Sequence, residues 1–198
     1  MSRLPRSFFA RDAVTVARAL IGARLFVRGP DGHPTGGIIT ECEAYRQDDT
    51  ASHSHRGLTA RNAAMFGPPG HAYVYFIYGM HFCLNVVTGA PGVGEAVLLR
   101  ALRPTHGLAV MRARRGNRVA DASLCDGPGK LCQALGIDRA LNGIDLCARA
   151  APLRVHAALD GLHHTATPRI GISGDAVARS ALWRFVATDP APRYDGAR

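Results

Sequence analysis

His71-Ala-Tyr-Val-Tyr-Phe-Ile-Tyr-Gly-Met-His-Phe-Cys-Leu-Asn-Val-Val87 reads as two apolar strands folded about one glycine, Gly79. Alternate side chains of a strand share a face, so Tyr73, Tyr75 and Ile77 point one way while Val74, Phe76 and Tyr78 point the other. One tyrosine pair can therefore line a cavity. The turn also carries Tyr78 and Met80, where hairpin tips usually favour Asn, Asp and Gly because these accept positive φ and solvent. Bulky apolar residues there predict a wedge or a buried turn.

Working outward, Arg24 to Arg28 and Gly36 to Tyr45 read as strands joined across Gly29-Pro30-Asp31-Gly32. This puts Glu41, Glu43 and Tyr45 on one strand face. Arg46 to Gly70, polar and then rich in glycine and proline, reads as a long ordered loop, and long loops inside compact domains usually carry function. Ser7 is expected to cap a first helix running to about Ala23, with Val14, Ala17, Leu20 and Ile21 on one face. Glu95 to Leu102 predicts a strand, followed by a helix capped by Thr105 and ending before Gly116. Arg112, Arg114, Arg115 and Arg118 near its end read as a solvated basic surface. Pro128 to Leu135 predicts a short helix behind Gly127, and Leu153 to Leu159, Arg169 to Ile172 and Leu182 to Ala187 predict further strands. The residues from Asp189 read as a frayed tail. Strands dominate, without the strand-helix alternation of a parallel sheet, which points to an α+β class.

A chain of 198 residues fits one well-buried domain. Its 22 glycines and 12 prolines exceed average usage and argue for a loop-rich fold over a helical bundle. The formal charge is +9, and Lys130 is the only lysine among 24 basic residues. An arginine excess suits phosphate recognition, although it can equally reflect genomic base composition. Five cysteines, odd in number and without a Cys-x-x-Cys pair, read as reduced and partly buried thiols. No apolar run approaches the ~18 residues of a membrane span and no signal peptide is visible, so a soluble cytoplasmic protein with no membrane partner is expected.

Glu43 is the first candidate for chemistry. Apolar neighbours would raise a carboxylate's pKa toward the range useful for acid-base work, whereas an ordinary strand glutamate is half-exposed or paired with arginine. Glu41 on the same face also admits a two-carboxylate, glycosidase-like arrangement. His53, His55, His71 and His81 lack the spacing of a recognised metal site, and hydrogen bonding or base stacking suits them better. Asp126-Gly127-Pro128-Gly129-Lys130 fails as a nucleotide triphosphate loop, because Leu124 and Leu131 stand where a glycine and a hydroxyl are needed. A helix N-terminus and one lysine remain, able to hold a single backbone phosphate. Lys130 is likewise the one side-chain amine available for Schiff-base chemistry.

Taken in order, Glu-x-Glu-Ala-Tyr (41–45), Asp-x-Ala-Ser-His-Ser (49–54), Arg-Asn-x-x-Met-Phe (61–66), Tyr-Val-Tyr-x-x-Tyr-Gly-Met (73–80), Leu-Leu-Arg-Ala-Leu (98–102) and Gly-Pro-x-Lys-Leu-Cys-Gln-Ala-Leu (127–135) resemble the alkyladenine (3-methyladenine) DNA glycosylase family. The resemblance implies a single α+β domain with a curved, largely antiparallel sheet, short surrounding helices and a protruding hairpin. It implies that Glu43 activates the attacking water and that Arg100 supports it. Tyr45, His53, Tyr75 and Asn85 would form the base pocket, with His55 competing for the place of His53. Tyr78 and Met80 would enter the DNA.

Such an enzyme acts on double-stranded DNA containing damaged purines, needs no metal or organic cofactor, and uses water rather than an amine, leaving an abasic site. Extruding a base costs a few kcal/mol, which a residue filling the gap partly offsets. A cationic alkylated purine is drawn to aromatic faces by roughly 0.5–2 kcal/mol per good contact. A monomer is expected. A damaged-base sensor without catalysis and a metal-dependent hydrolase stand as alternatives, and the order of preference among 3-methyladenine, 7-methylguanine, hypoxanthine and ethenoadenine is left open.

Overall fold

Branched and aromatic residues gather in eight stretches that the computed structural model, describing residues 2–158 and 162–188, forms into strands. In chain order they are β1 (Arg24–Arg28), β2 (Pro34–Tyr45), β3 (Ala72–Ile77), β4 (His81–Val87), β5 (Ala96–His106), β6 (Leu153–His156), β7 (His164–Thr167) and β8 (Arg184–Ala187). They make one antiparallel sheet ordered β3-β4-β5-β2-β1-β6, from which β8 and then β7 branch at β2. The fold is thus the α+β, curled antiparallel type expected, and β2 is its spine.

Three one-residue register shifts bend that spine, one at Gly36/Gly37, which leaves Thr105 extra on β5, and two nearer the site. Ile39 pairs with Leu102 and Glu41 with Ala101, which leaves Thr40 extra on β2; Cys42 then pairs with Leu99, which leaves Arg100 extra on β5. Each bulge resets the alternation of faces. Ile39 and Cys42, three apart, therefore both enter the main core, as do Leu99 and Leu102. Because the β2 bulge precedes Glu41, the shared face of Glu41, Glu43 and Tyr45 is preserved.

The helices are short: α1 (Arg6–Phe9), α2 (Ala13–Ala19), α3 (Leu108–Arg115), α4 (Pro128–Leu135) and α5 (Ala176–Ser180). The single helix expected from Ser7 to Ala23 is broken into α1 and α2. Asp12, not Ser7, caps the packing helix by accepting from the Thr15 amide at 3.0 Å. Thr105 is likewise no cap, since β5 runs on to His106 and α3 starts behind Gly107, whose φ of 72° turns the chain. The strand predicted from Leu153 stops at His156, and Leu159 falls outside the described residues, as does the tail from Asp189.

Val16 of α2, Leu20 just after it, and Leu131 and Leu135 of α4 meet Leu25, Ile39, Leu99 and Phe185 of the sheet in one continuous core. A smaller cluster of Met65, Tyr73, Val87 and Ala96, edged by Tyr45 and Tyr75, lies beneath the site described below. All five cysteines are free, and all but the half-buried Cys147 are buried. No helix among the described residues is long and apolar enough to cross a membrane.

At Gly37 a methyl group would sit 2.1 Å from the Arg103 carbonyl oxygen, a backbone atom that cannot step aside. Gly37→Ala should therefore pry β2 from β5 and cost about 1–3 kcal/mol, the usual scale of overpacking. Chemical denaturation would show this as a lowered midpoint with an unchanged slope; an unchanged midpoint would mean that the strands have slack here.

Candidate active site

Where β2, β5 and the β3–β4 hairpin lie side by side, register alone builds a row of functional groups. Tyr73 lies opposite Asn85, Asn85 opposite Leu98, and Leu98 opposite Glu43. Cross-strand partners share a face, so the row runs unbroken over four strands.

Glu43 at the end of this row is wholly buried (0% exposed). Its surroundings are not the apolar walls expected from sequence but hydrogen-bond donors. Oε1 accepts from the Ile170 amide at 2.8 Å, and Oε2 accepts from the Tyr45 hydroxyl at 2.8 Å and from Arg100 Nη1 at 3.3 Å. A carboxylate taken out of water is tolerated only when partnered in this way. Arg100 reaches it from the β5 bulge. Burial opposes the charge of Arg100, but the carboxylates of Glu43 and Glu41 outweigh it and raise its pKa, so the guanidinium stays cationic. Glu41 is occupied otherwise: its Oε1 accepts from Arg100 Nε at 2.7 Å and from Arg184 Nε at 2.5 Å. Glu41 is thus held by two arginines, and like Glu43 it lines neither cavity described next.

Two adjoining cavities share Tyr45, Tyr75, Ile77, Tyr78 and Gly171. The first, about 260 Å³, is walled by Tyr45, His53, Tyr73, Tyr75 and Asn85. The second, about 380 Å³, is lined by Cys83, Leu98, Arg100, Ile170 and the Gly127–Lys130 start of α4. His53, not His55, lines the first cavity, although both residues are exposed. The His53 ring stands edge-on to Tyr75 at 4.6 Å, and its Nδ1 is 2.9 Å from the Tyr73 hydroxyl. Asn62, from the Arg-Asn-x-x-Met-Phe segment, fixes this loop by donating to the His53 carbonyl at 2.8 Å. Burial, aided by the charge of Arg61, lowers the pKa of His53, so its imidazole is neutral near pH 7. Burial also raises the phenols: Tyr73 to about 12, and Tyr45 and Tyr75 further. Asn85 is buried at the back of the cavity and donates to the Tyr73 carbonyl at 3.1 Å.

The hairpin tip projects, and the alternative of a buried turn is ruled out. Tyr78 and Met80 are 77% and 69% exposed. Tyr78 and Gly79 both hold left-handed backbone, φ 55° and 68°, and the turn closes from the Met80 amide to the Ile77 carbonyl at 3.3 Å. A tyrosine in that conformation costs roughly 1–2 kcal/mol. The strand alternation that sorts Tyr73, Tyr75 and Ile77 into the cavity ends at this turn, which brings Tyr78 back to the cavity rims.

The strand expected from Arg169 to Ile172 does not form. The segment is instead an irregular loop between β7 and α5 that passes over Glu43 and lines the first cavity with Gly171, Ile172 and Ser173. No local sequence signal marks its anchor. The Arg169 side chain, wholly buried, forms a two-pronged ion pair with the equally buried Asp49 and donates to the carbonyls of Ala44 at 3.0 Å and Ala178 at 3.1 Å. Its guanidinium lies between the rings of Tyr45 and Trp183, 4.7 and 5.1 Å from their centroids. Proline and two glycines within Pro168-Arg-Ile-Gly-Ile-Ser-Gly174 were the available sign of a loop.

Lys130 stands at the rim of the second cavity, half-exposed, with Nζ 2.9 Å from Asp126 Oδ1. The histidines do not converge. His71 sits 3.3 Å from Arg6, and His81 lies against Gly129. Among the described residues no group of three or more His, Cys, Asp and Glu could hold a metal ion.

The sequence model of the methylpurine-DNA glycosylase family matches residues 7–191. Several relatives carry the name "Putative 3-methyladenine DNA glycosylase". That of Rhodopseudomonas palustris (strain HaA2) is 54% identical over 183 residues, covering 92% of this chain and 85% of its own. That of Methanoculleus marisnigri is 56% identical over 154 residues, 78% of either chain, and that of Carboxydothermus hydrogenoformans 55% identical over 143 residues, 72% of this chain and 74% of its own. With a match running almost end to end, the chain belongs to the methylpurine-DNA glycosylase family and is a base-excision-repair enzyme that hydrolyses N-glycosyl bonds in DNA.

Proposed function

We propose that the enzyme flips alkylated or deaminated purines, 3-methyladenine among them, out of duplex DNA and hydrolyses the glycosidic bond with water activated by Glu43. It acts as a monomer in the cytoplasm, without Schiff-base chemistry, and leaves an abasic site. The observation that carries this reading is a wholly buried glutamate beneath two tyrosine-lined cavities, beside a projecting tyrosine held in left-handed backbone.

In this reading the first cavity receives the base. Neutral phenols at Tyr45 and Tyr75 and a neutral His53 offer electron-rich surfaces to a cationic purine, and Asn85 tests its edge. Glu43 has about four acceptor positions, of which three are taken by Ile170, Tyr45 and Arg100, leaving one for a water. The C1′–N bond breaks with its electron pair leaving on the base, the water oxygen bonds to C1′, and Glu43 takes the water's proton. The ionised carboxylate also stabilises the oxocarbenium-like sugar, and Arg100 holds the carboxylate in place. Tyr78 and Met80 fill the gap in the stack. Lys130, tied to Asp126 only by a half-exposed pair worth little in water, can exchange that partner for a backbone phosphate.

Glu43→Gln keeps the side chain's size but takes no proton, and it turns an NH2 group toward one of the donors. It should bind lesion duplex as tightly as the wild type while single-turnover base release falls by about 10²–10⁴-fold. Retained release would remove Glu43 from its role, and a wild type that binds lesions without releasing base would make the protein a sensor. Tyr78→Gly relieves the left-handed strain yet empties the wedge. Thermal stability should hold or rise by about 1 kcal/mol, while release from duplex falls at least ~10-fold and release from single strands, which need no unstacking, falls far less; equal losses on both would argue against a wedge.

For His53 the sign follows from its lowered pKa. The folded state surrenders the proton more readily than the unfolded chain, so the associated stability is present above the ordinary value of about 6.5 and drains away as pH falls through the folded value. Denaturation midpoints followed from about pH 7 to about pH 5 should therefore fall more steeply in the wild type than in His53→Gln. Parallel profiles would show that His53 is not desolvated.

A further inference from the structure

We propose that the buried Asp49–Arg169 pair sets the charge preference of the base cavity: Asp49 cancels the cation that lies against Tyr45 and so allows the cavity to accept positively charged purines. This rests on the glycosylase reading above and adds a specificity-determining residue that never touches the base.

The argument starts from what a clamp requires. Arg169 ties its loop to the Ala44 and Ala178 carbonyls, and Asp49 Oδ1 also accepts from the Ala51 amide at 3.0 Å. Neutral donors and acceptors could provide such ties, and a buried ion pair is rarely the most stabilising way to do so. What only the carboxylate supplies is negative charge. The guanidinium carbon is 4.7 Å from the Tyr45 ring centroid, and Tyr45 also lines both cavities. A base stacked against that ring at ordinary contact, about 3.5 Å, would lie roughly 8 Å from the guanidinium. At an effective dielectric of about 20, an uncancelled positive charge at that range opposes a cationic base by roughly 30-fold, and solvent in the open cavity reduces this to about tenfold.

The neighbouring charges follow the same rule. Glu41 and Glu43 face Arg100 and Arg184, two against two. With Asp49 against Arg169 the buried charges around the cavities balance.

The two substrate classes then respond in opposite senses. A cationic purine departs neutral, because the electron pair of the broken C1′–N bond quenches its charge, and a bare Arg169 repels it only before the bond breaks. A neutral purine such as hypoxanthine departs carrying that electron pair as negative charge, which a bare Arg169 would stabilise. Removing Asp49's charge should therefore slow release of cationic bases and spare or speed release of neutral ones.

Single-turnover release from duplexes carrying 7-methylguanine or hypoxanthine tests this. For Asp49→Asn the ratio of cationic to neutral release should fall about tenfold, and the double variant Asp49→Asn/Arg169→Gln should restore it to within about twofold even where both rates are reduced. Arg169→Gln alone, which leaves Asp49 uncancelled, should raise the ratio and carries the test if Asp49→Asn does not fold. A ratio unmoved in these variants, with both substrates slowed alike, would reduce the pair to a clamp and overturn the inference. A wild type that released neither base would instead overturn the glycosylase reading on which it rests.

Discussion

A carboxylate with no exposure to water has to be enclosed by donors, and much of the architecture follows from meeting that requirement at Glu43. One donor comes from its own strand two residues on (Tyr45), one from a bulge in the neighbouring strand (Arg100), and one from the backbone of a loop more than a hundred residues away (Ile170). The loop has to be immobile for its amide to count, and Arg169, the residue before Ile170, immobilises it by pairing with Asp49 beyond the end of β2. Ionic groups buried in this way each cost several kcal/mol of desolvation, so the arrangement is a poor way to stabilise a fold and a good way to hold a charge in a fixed place.

The hairpin meets a different constraint. Its strand portion obeys strict alternation, with Val74 in the main core and Tyr73 and Tyr75 turned to the cavity. Its tip breaks the rule that apolar bulk avoids exposed turns and that a side chain avoids left-handed backbone, and it breaks both at one residue, Tyr78. Local strain and exposed apolar surface coincide at positions where a partner supplies the compensation, and in the proposed mechanism that partner is the unstacked gap of a flipped base.

How much of this was legible depended on whether a feature was local. The faces of β3, and of β2 beyond Thr40, follow from a period of two, and so does the grouping of Glu41, Glu43 and Tyr45. The helix α4 follows from proline behind glycine. The bulges at Thr40 and Arg100 were illegible because a bulge is a relation between two strands; only the three-residue spacing of core residues, Ile39 to Cys42 and Leu99 to Leu102, hinted at them. Asp12 outcompeted Ser7 as a cap because the chain breaks between α1 and α2, and Thr105 lost its cap to the pull of strand pairing. Asp49 and Arg169 meet across 120 residues, a distance over which no pattern in the chain announces an ion pair.

Tyr45 is where these constraints intersect. Its hydroxyl donates to Glu43 Oε2, its ring walls both cavities, and one side of that ring is covered by Arg169. A base seated against the ring therefore presses on the same residue that helps to enclose the proposed catalytic carboxylate. Glu43 is wholly enclosed in the free protein, so water reaches the acceptor position that its three donors leave open only when that enclosure loosens. Ile170 and Arg100 are tied from behind, by the Arg169 anchor and by Glu41, whereas Tyr45 borders both cavities. In the proposed mechanism, the cavity that receives the base and the enclosure of the carboxylate thus share one side chain.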